Sequence, residues 1–363
     1  MNLEGSIPLL RIESQDSLYL MDALQEHITK KDTIDFDAKI LGSTVMDKAN
    51  FSNYVITGKL DFYGVTFKEH IFFQYTEMYN ELKFQDVRFE DALSFFEYYT
   101  DCDIMITDSF FSKITLVQSV FERSFSFFNS IIDKSSCFSF VNFNTIQLYD
   151  IISNREFSFY DNTFKELTFT KNSFQDFAFE DNTYNGNNGF MYFDNSSFKK
   201  AILFRNNVFS EVVSFRDISV IDEINLMYAT TKDHFEPVFL NLIGSDVNKF
   251  KFIYTQPFYI DQLSSIEYRD ELTNVYTVLL KSQQEDGYKN SFIALDKEYK
   301  YFSYKNVTGG KLINFFQKHW WGYGHDKYRI ITNTFIILIF FWIITFIYLE
   351  LFLKRATKLK RYN

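Results

Sequence analysis

Gly322-Tyr323-Gly324 stands just before a long apolar run, Ile330 to Leu353. The backbone carbonyls of such a tripeptide can replace the hydration shell of a potassium ion. They do so when held on a re-entrant loop between two spanning helices of a tetramer. The neighbouring residues do not supply that setting. The tripeptide precedes the only apolar run long enough to span, and His325, Asp326, Lys327 and Arg329 follow it directly. Trp320 and Trp321 stand where a filter would carry Thr-Val. The reading that fits is a glycine-hinged turn, with Gly322, Tyr323, Gly324 and Arg329 as a membrane hinge.

Other residues with chemical potential are dispersed. His27, His70, His234, His319 and His325 form no ligand-spaced pair, which argues against a metal site. Cys102 and Cys137 are too few and too far apart for a zinc site or a disulfide framework, and read as thiols of a reducing compartment. The acids in "FYDN" (Asp161) and "FEDN" (Glu180, Asp181) read as solvent-facing corners rather than paired acids. No phosphate loop or nucleophile elbow occurs. The expectation is a protein that is not an enzyme, with no cofactor and no small-molecule substrate. A net charge of -10 disfavours a nucleic-acid partner, although an acidic surface can imitate DNA.

The elements that carry these residues follow from a period. The chain has 363 residues with 46 Phe and 24 Tyr but only 3 Pro and 12 Gly, a balance that favours regular, aromatic-rich structure. In "FSFYDNTFKELTFTKNSFQDFAFEDNTY", aromatics recur five residues apart at Phe159, Phe164, Phe169, Phe174, Phe179 and Tyr184. Two residues before them, large apolar residues alternate with Asn: Phe157, Asn162, Leu167, Asn172, Phe177, Asn182. Looser copies lie upstream at "LDFYGVTF", "LKFQDVRF" and "ITLVQSVF", and downstream at "MYFDNSSF" and "ILFRNNVF". Apolar-polar-apolar triplets are short strands, and a unit this small buries its inner face only by stacking coil on coil, about 4.8 Å apart. Stacked Phe would form the core, and Asn would bond along a ladder or to corner backbone groups. Two ten-residue phrases give a coil of about 20–22 residues.

This spacing around a central Phe or Leu resembles the pentapeptide-repeat proteins, most clearly over 157–184 and loosely over about 34–260. The resemblance implies a right-handed, four-sided β-solenoid. The sequence departs from that family two residues before each central residue, where a large apolar residue or Asn replaces a small one. This implies a wider coil. Bacterial membrane members of the family often carry Gly-Tyr-Gly, a basic residue and a spanning helix as the first half of a two-helix ion-channel module. Gly322, Tyr323, Gly324 and Arg329 are similar to that half, whereas the sequence ends eight residues after Arg355 and supplies no second half.

The flanks complete the expected layout. Residues 1–33 read as an N-terminal capping segment, with a helix capped by Asp16 or Ser17 and carrying Leu18, Met21, Leu24 and Ile28. Its start lacks the basic and apolar regions of a signal peptide. The solenoid spans 34–263. From 264 to 306, apolar residues three and four apart, including Ile266 and Leu272, predict a helical hairpin broken at Asp286-Gly287. Residues 309–324 predict a helix lying in the membrane interface and a hinge, anchored by Trp320 and Trp321. Residues 329–353 predict one transmembrane helix, about 36 Å long over its apolar run, and 354–363 form a basic tail. Asn333 and Thr345 are candidates for polar contacts between helices.

These features predict a single-pass protein of a bacterial inner membrane with a cytoplasmic solenoid. Its expected partners are the lipid bilayer and a protein, or a second copy of itself. Two other readings compete with a scaffold or sensor: an oligomerising membrane effector, and an acidic DNA mimic.

Overall fold

The computed structural model describes residues 8–186, 189–227, 229–231, 237–254, 258–262, 267–305 and 307–359. Two compact units divide at Leu279 and Leu280, inside the helix Arg269–Glu285. The first is a β-solenoid of about ten coils, all of its strands pairing in parallel with the coils above and below.

One run shows how a coil is built. Asn142–Tyr160 passes through four strand columns in turn. Asn142-Phe143 pairs with Thr163-Phe164, Thr145–Tyr149 with Glu166–Thr170, Ile152-Ser153 with Ser173-Phe174, and Glu156–Tyr160 with Asp176–Glu180. The five-residue aromatic spacing is therefore one step per face. Phe159, Phe164, Phe169 and Phe174 lie on four successive faces, and Phe179 and Tyr184 return above Phe159 and Phe164. All six point inward and are buried. Leu60 pairs with Leu82, 22 positions on, and Ile146 with Leu167, 21 positions on, within the expected coil length. Later coils are longer: Val213 pairs with Leu240, 27 positions on.

Phenylalanine rings stack at the strand spacing in the earlier coils. Phe67–Phe89–Phe111 have centroids 4.8 and 4.7 Å apart, and Phe51–Phe73–Phe95 4.7 and 5.0 Å, with planes within 17° of parallel. The region most regular in sequence is less regular in space. Phe157, Phe159, Phe177 and Phe179 put two rings per coil on one face, and Phe159 and Phe179 tilt by 40° at 5.8 Å. Tilting relieves the crowding that a doubled stack would create, and off-parallel rings remain favourable pairs.

Most corners place a residue in the left-handed backbone region, and many follow it with an inward polar side chain, whereas others follow it with a buried Val, Ile or Tyr, as at Val87, Tyr98 and Ile151. Asn129, Asp161, Lys171 and Asp181 have φ of 49° to 59° and precede Ser130, Asn162, Asn172 and Asn182. Asp161 of "FYDN" and Asp181 of "FEDN" thus stand at corners for a backbone reason, since Asp and Asn tolerate this region best among residues with a Cβ, while Glu180 ends a strand. The inward polar groups close the corners. Asn182 Oδ1 accepts the Asn162 N–H at 3.0 Å, while its Nδ2 donates to Phe159 O at 3.0 Å and to Asn207 Oδ1 at 3.1 Å. In other coils Ser109, Ser119 and Ser130 accept the equivalent backbone N–H.

The N-terminal segment differs from the expectation for 1–33. Leu9–Glu13 already pairs with Asp37–Leu41, so the solenoid begins before residue 34. The helix α1 is only Leu20–Gln25, and neither Asp16 nor Ser17 caps it. The carboxylate of Asp47, from the next coil, accepts the N–H of Leu20 at 2.8 Å and of Met21 at 3.2 Å. The strand forms ahead of the helix because Leu10 and Ile12 fall in register over Ala38 and Ile40. At the other end the helices α2 (Arg269–Glu285) and α3 (Lys289–Lys305) flank Gly287, whose φ is 76°. Ile266 lies outside the described residues.

Replacing Asn182 by Leu leaves the Asn162 N–H buried without its acceptor. The expected loss is roughly 3 kcal/mol, against about 1 kcal/mol for Asn182→Ser, which keeps an acceptor. Hydrogen exchange at the Asn162 amide checks this. Equal protection in the two variants would refute the ladder's role.

Candidate membrane-anchoring module

The second unit contains α3, the helix α4 (Gly310–Trp320), the turn Gly322–Gly324 and the helix α5 (Lys327–Leu359). The turn is left-handed throughout, with φ of 52°, 60° and 92° at Gly322, Tyr323 and Gly324. Glycine meets this demand at no steric cost on either side, while Tyr323 bears it in the middle. Burial repays Tyr323: its ring is enclosed, its hydroxyl donates to Asn314 Oδ1, and its carbonyl accepts Lys300 Nζ at 2.9 Å. Removal from water pushes the pKa of its phenol above the ordinary value, so it stays protonated. Lys300 also pairs with Asp296 at 2.6 Å, and the same carboxylate meets His325 Nε2 at 2.6 Å. Sequence reasoning missed Asp296, Lys300 and Asn314. Only the four-residue spacing of Asp296 and Lys300 on one helix could have hinted at their pairing.

Arg329, Asp326 and Asn333 bind the two helices together. Asp326 caps α5 by accepting the Arg329 N–H at 3.1 Å, and its carboxylate lies 3.3 Å from Arg329 Nε. Arg329 Nη1 donates to Lys318 O at 3.0 Å. Asn333 Nδ2 donates to His319 O at 2.7 Å and to Trp320 O at 3.1 Å. Three carbonyls at the C-terminus of α4, which no intrahelical donor can reach, are thus taken by α5. Asn333 therefore acts within the chain in this structure, and Thr345 donates to Phe341 O at 2.8 Å within its own helix. Neither donor is held in reserve for a second helix.

α4 is inverted relative to a helix of a water-soluble protein. At about 100° per residue, Gly310, Asn314, Gln317 and Trp321 share one side. Within the helix that side is the more buried: Gly310 is buried, Asn314 and Gln317 are half-buried, and Asn314 meets Tyr323, while Trp321, just past the helix end, is exposed and donates to Gln317. Leu312, Phe315 and Phe316 face out, each more than half exposed, with Trp320 half-buried at the edge. From Lys327 to Lys354, α5 is long and apolar enough to cross a bilayer, and no residue of its apolar window is buried.

Elsewhere the chemistry is quiet. Among the described residues no cluster of His, Cys, Asp and Glu could hold a metal ion. Burial pushes the Cys102 thiol up to about 11, so it stays protonated and weakly nucleophilic at neutral pH. Outward charges alternate in sign along one column, where Lys39 meets Asp61 at 3.1 Å and Lys83 follows Asp61, whereas Glu156 pairs with Asp176 in another. Comparison with family models, with curated proteins and with solved structures gives no match.

Gly324→Ala has space for its methyl group but must hold a φ of 92°, so it should destabilise the turn by about 1–2 kcal/mol. Asn at this position should cost less. Trypsin cleavage after Lys327 reads the opening of the turn, and equal rates in native protein and Gly324→Ala would contradict the left-handed requirement. Native Cys102 should react with iodoacetamide at pH 8 far more slowly than in the unfolded chain. Comparable rates would show that burial does not protect it.

Proposed function

We propose that this chain is a membrane-anchored β-solenoid scaffold or sensor. Its C-terminal module fastens it to the bilayer, and its repeat surface meets a protein partner. The inverted polarity of α4 carries this reading. In water, three exposed aromatic and aliphatic anchors beside an exposed apolar helix would be strongly unfavourable. At a bilayer surface the same arrangement is stable: α4 lies in the headgroup layer and α5 crosses the hydrocarbon. In this reading Trp320 and Trp321 are interface anchors, and Gly322 to Gly324 with Arg329 form the hinge between the in-plane and spanning helices.

The same proposal takes the coil as a right-handed, pentapeptide-type solenoid on the cytoplasmic side of a bacterial inner membrane. Aromatics on adjacent coils, exposed Tyr75 beside half-buried Phe96 at 6.3 Å and exposed Tyr79 beside exposed Tyr99 at 6.2 Å, suit a protein partner. Lys39, Lys68, Lys200 and Lys251, each paired with an acid of a neighbouring coil, interrupt the acidic surface and do not favour DNA mimicry. The internal bonds of Asn333 and Thr345 favour a tethering helix over a polar pore.

Full-length protein should remain with membranes through alkaline extraction, and protease added to intact cells should leave the solenoid whole. Recovery in the soluble fraction would overturn the anchor. Digestion without lysis would overturn the cytoplasmic placement.

A further inference from the structure

Charge is unevenly distributed along this acidic chain. Residues 309–330 contain Lys311, Lys318, Lys327 and Arg329 but a single acid, Asp326, in a protein of net charge -10. Arg329 and Asp326 satisfy each other. Among the described residues, no ion pair involves Lys311, Lys318 or Lys327, and all three are exposed. Several solenoid lysines behave differently: Lys39, Lys68, Lys200 and Lys251 each meet a carboxylate of a neighbouring coil. The absence of pairing around α4 follows from the local sequence, whose one carboxylate, Asp326, is taken by Arg329.

Their position is specific. Lys311 and Lys318 are seven residues apart, two helical turns, so they lie along one edge of α4. That edge separates the inward side of Asn314 and Gln317 from the outward side of Leu312, Phe315 and Phe316. Lys327 opens α5, next to the start of the apolar run. A lysine flanking an apolar face can lay its stem along that face and raise its ammonium group to the phosphate level. Two such cations along the edge of the apolar face of α4, and a third at the start of the apolar helix α5, call for a ligand that is apolar below and anionic above.

We infer that Lys311, Lys318 and Lys327 form a recognition surface for anionic phospholipid, with the ammonium groups on the phosphodiester headgroup and the aromatic face of α4 on the acyl chains. The inference rests on the anchoring reading above. The committed occupant is a lipid of the surrounding bilayer, because the basic edge is continuous with the apolar faces of α4 and α5. The surface selects bilayer charge and fixes the depth of α4.

The test uses the full-length chain in phosphatidylcholine bilayers carrying a trace of spin-labelled phosphatidylglycerol or spin-labelled phosphatidylcholine. The immobilised fraction of the glycerol lipid should exceed that of the choline lipid by on the order of threefold at low salt. The preference should fade at about 0.5 M salt. The triple variant Lys311→Gln, Lys318→Gln, Lys327→Gln should still float with the bilayers but lose most of the preference. No preference in the native protein would overturn the inference, as would a preference unchanged in the variant, which would place the selectivity at the far end of α5. Failure of the native chain to float with the bilayers would overturn the anchoring reading itself, and this inference with it.

Discussion

The solenoid depends on how its corners dispose of backbone N–H groups. A chain that turns every five residues or so cannot satisfy all of these groups by strand pairing, and the corners are buried on their inner side. Each unsatisfied group would cost on the order of 1–3 kcal/mol. At many corners the fold answers with a left-handed residue followed by an inward Asn or Ser whose oxygen accepts the N–H of the coil below. Asn162, Asn182 and Asn207 form one such ladder, in which each amide also donates to a carbonyl. The aromatic core follows from this. Corners held in register place each inward residue over its counterpart, and the stacked rings then fill the interior.

The anchoring module solves the opposite problem. Its polar side chains gather inward around the left-handed turn, where Asn314, Lys300, Asp296 and His325 meet. Its apolar side chains are left outside. Both units follow the same rule, that buried polar groups must find partners. They differ in what covers the apolar surface: the next coil in the solenoid, lipid in the proposed reading of the module. A mobile tether would have no need of the bonds from Arg329 and Asn333 to the end of α4, and these bonds make the elbow between α4 and α5 a defined joint.

The Gly-Tyr-Gly tripeptide illustrates how one short sequence can serve different ends. In a selectivity filter its carbonyls would face an ion. Here the backbone amides and carbonyls close a tight turn: the Gly324 N–H donates to Trp321 O at 3.0 Å and the His325 N–H to Gly322 O at 3.2 Å. The glycines answer to backbone geometry, and the tyrosine answers to packing.

Much of the fold was legible in the sequence because its causes are local and repeated. The five-residue aromatic spacing, the Asn at alternate corners, the Asp286-Gly287 break and the length of the apolar run each act within a few residues, and repetition amplifies the first two. Only tertiary structure decided what depends on distant partners. Asp47 caps a helix that Asp16 and Ser17 seemed placed to cap, and Leu10 and Ile12 join a coil through register with Ala38 and Ile40. The doubled Phe columns tilt because of crowding between coils. The sequence marked α4 as amphipathic, but the turn and α3 determined that its polar side would face inward. Asn333 looked like glue for a neighbouring helix, yet the bend of the chain brings the end of α4 within its reach. Period and composition are written along the chain, whereas the partner of a polar group is settled only when the chain has folded back on itself.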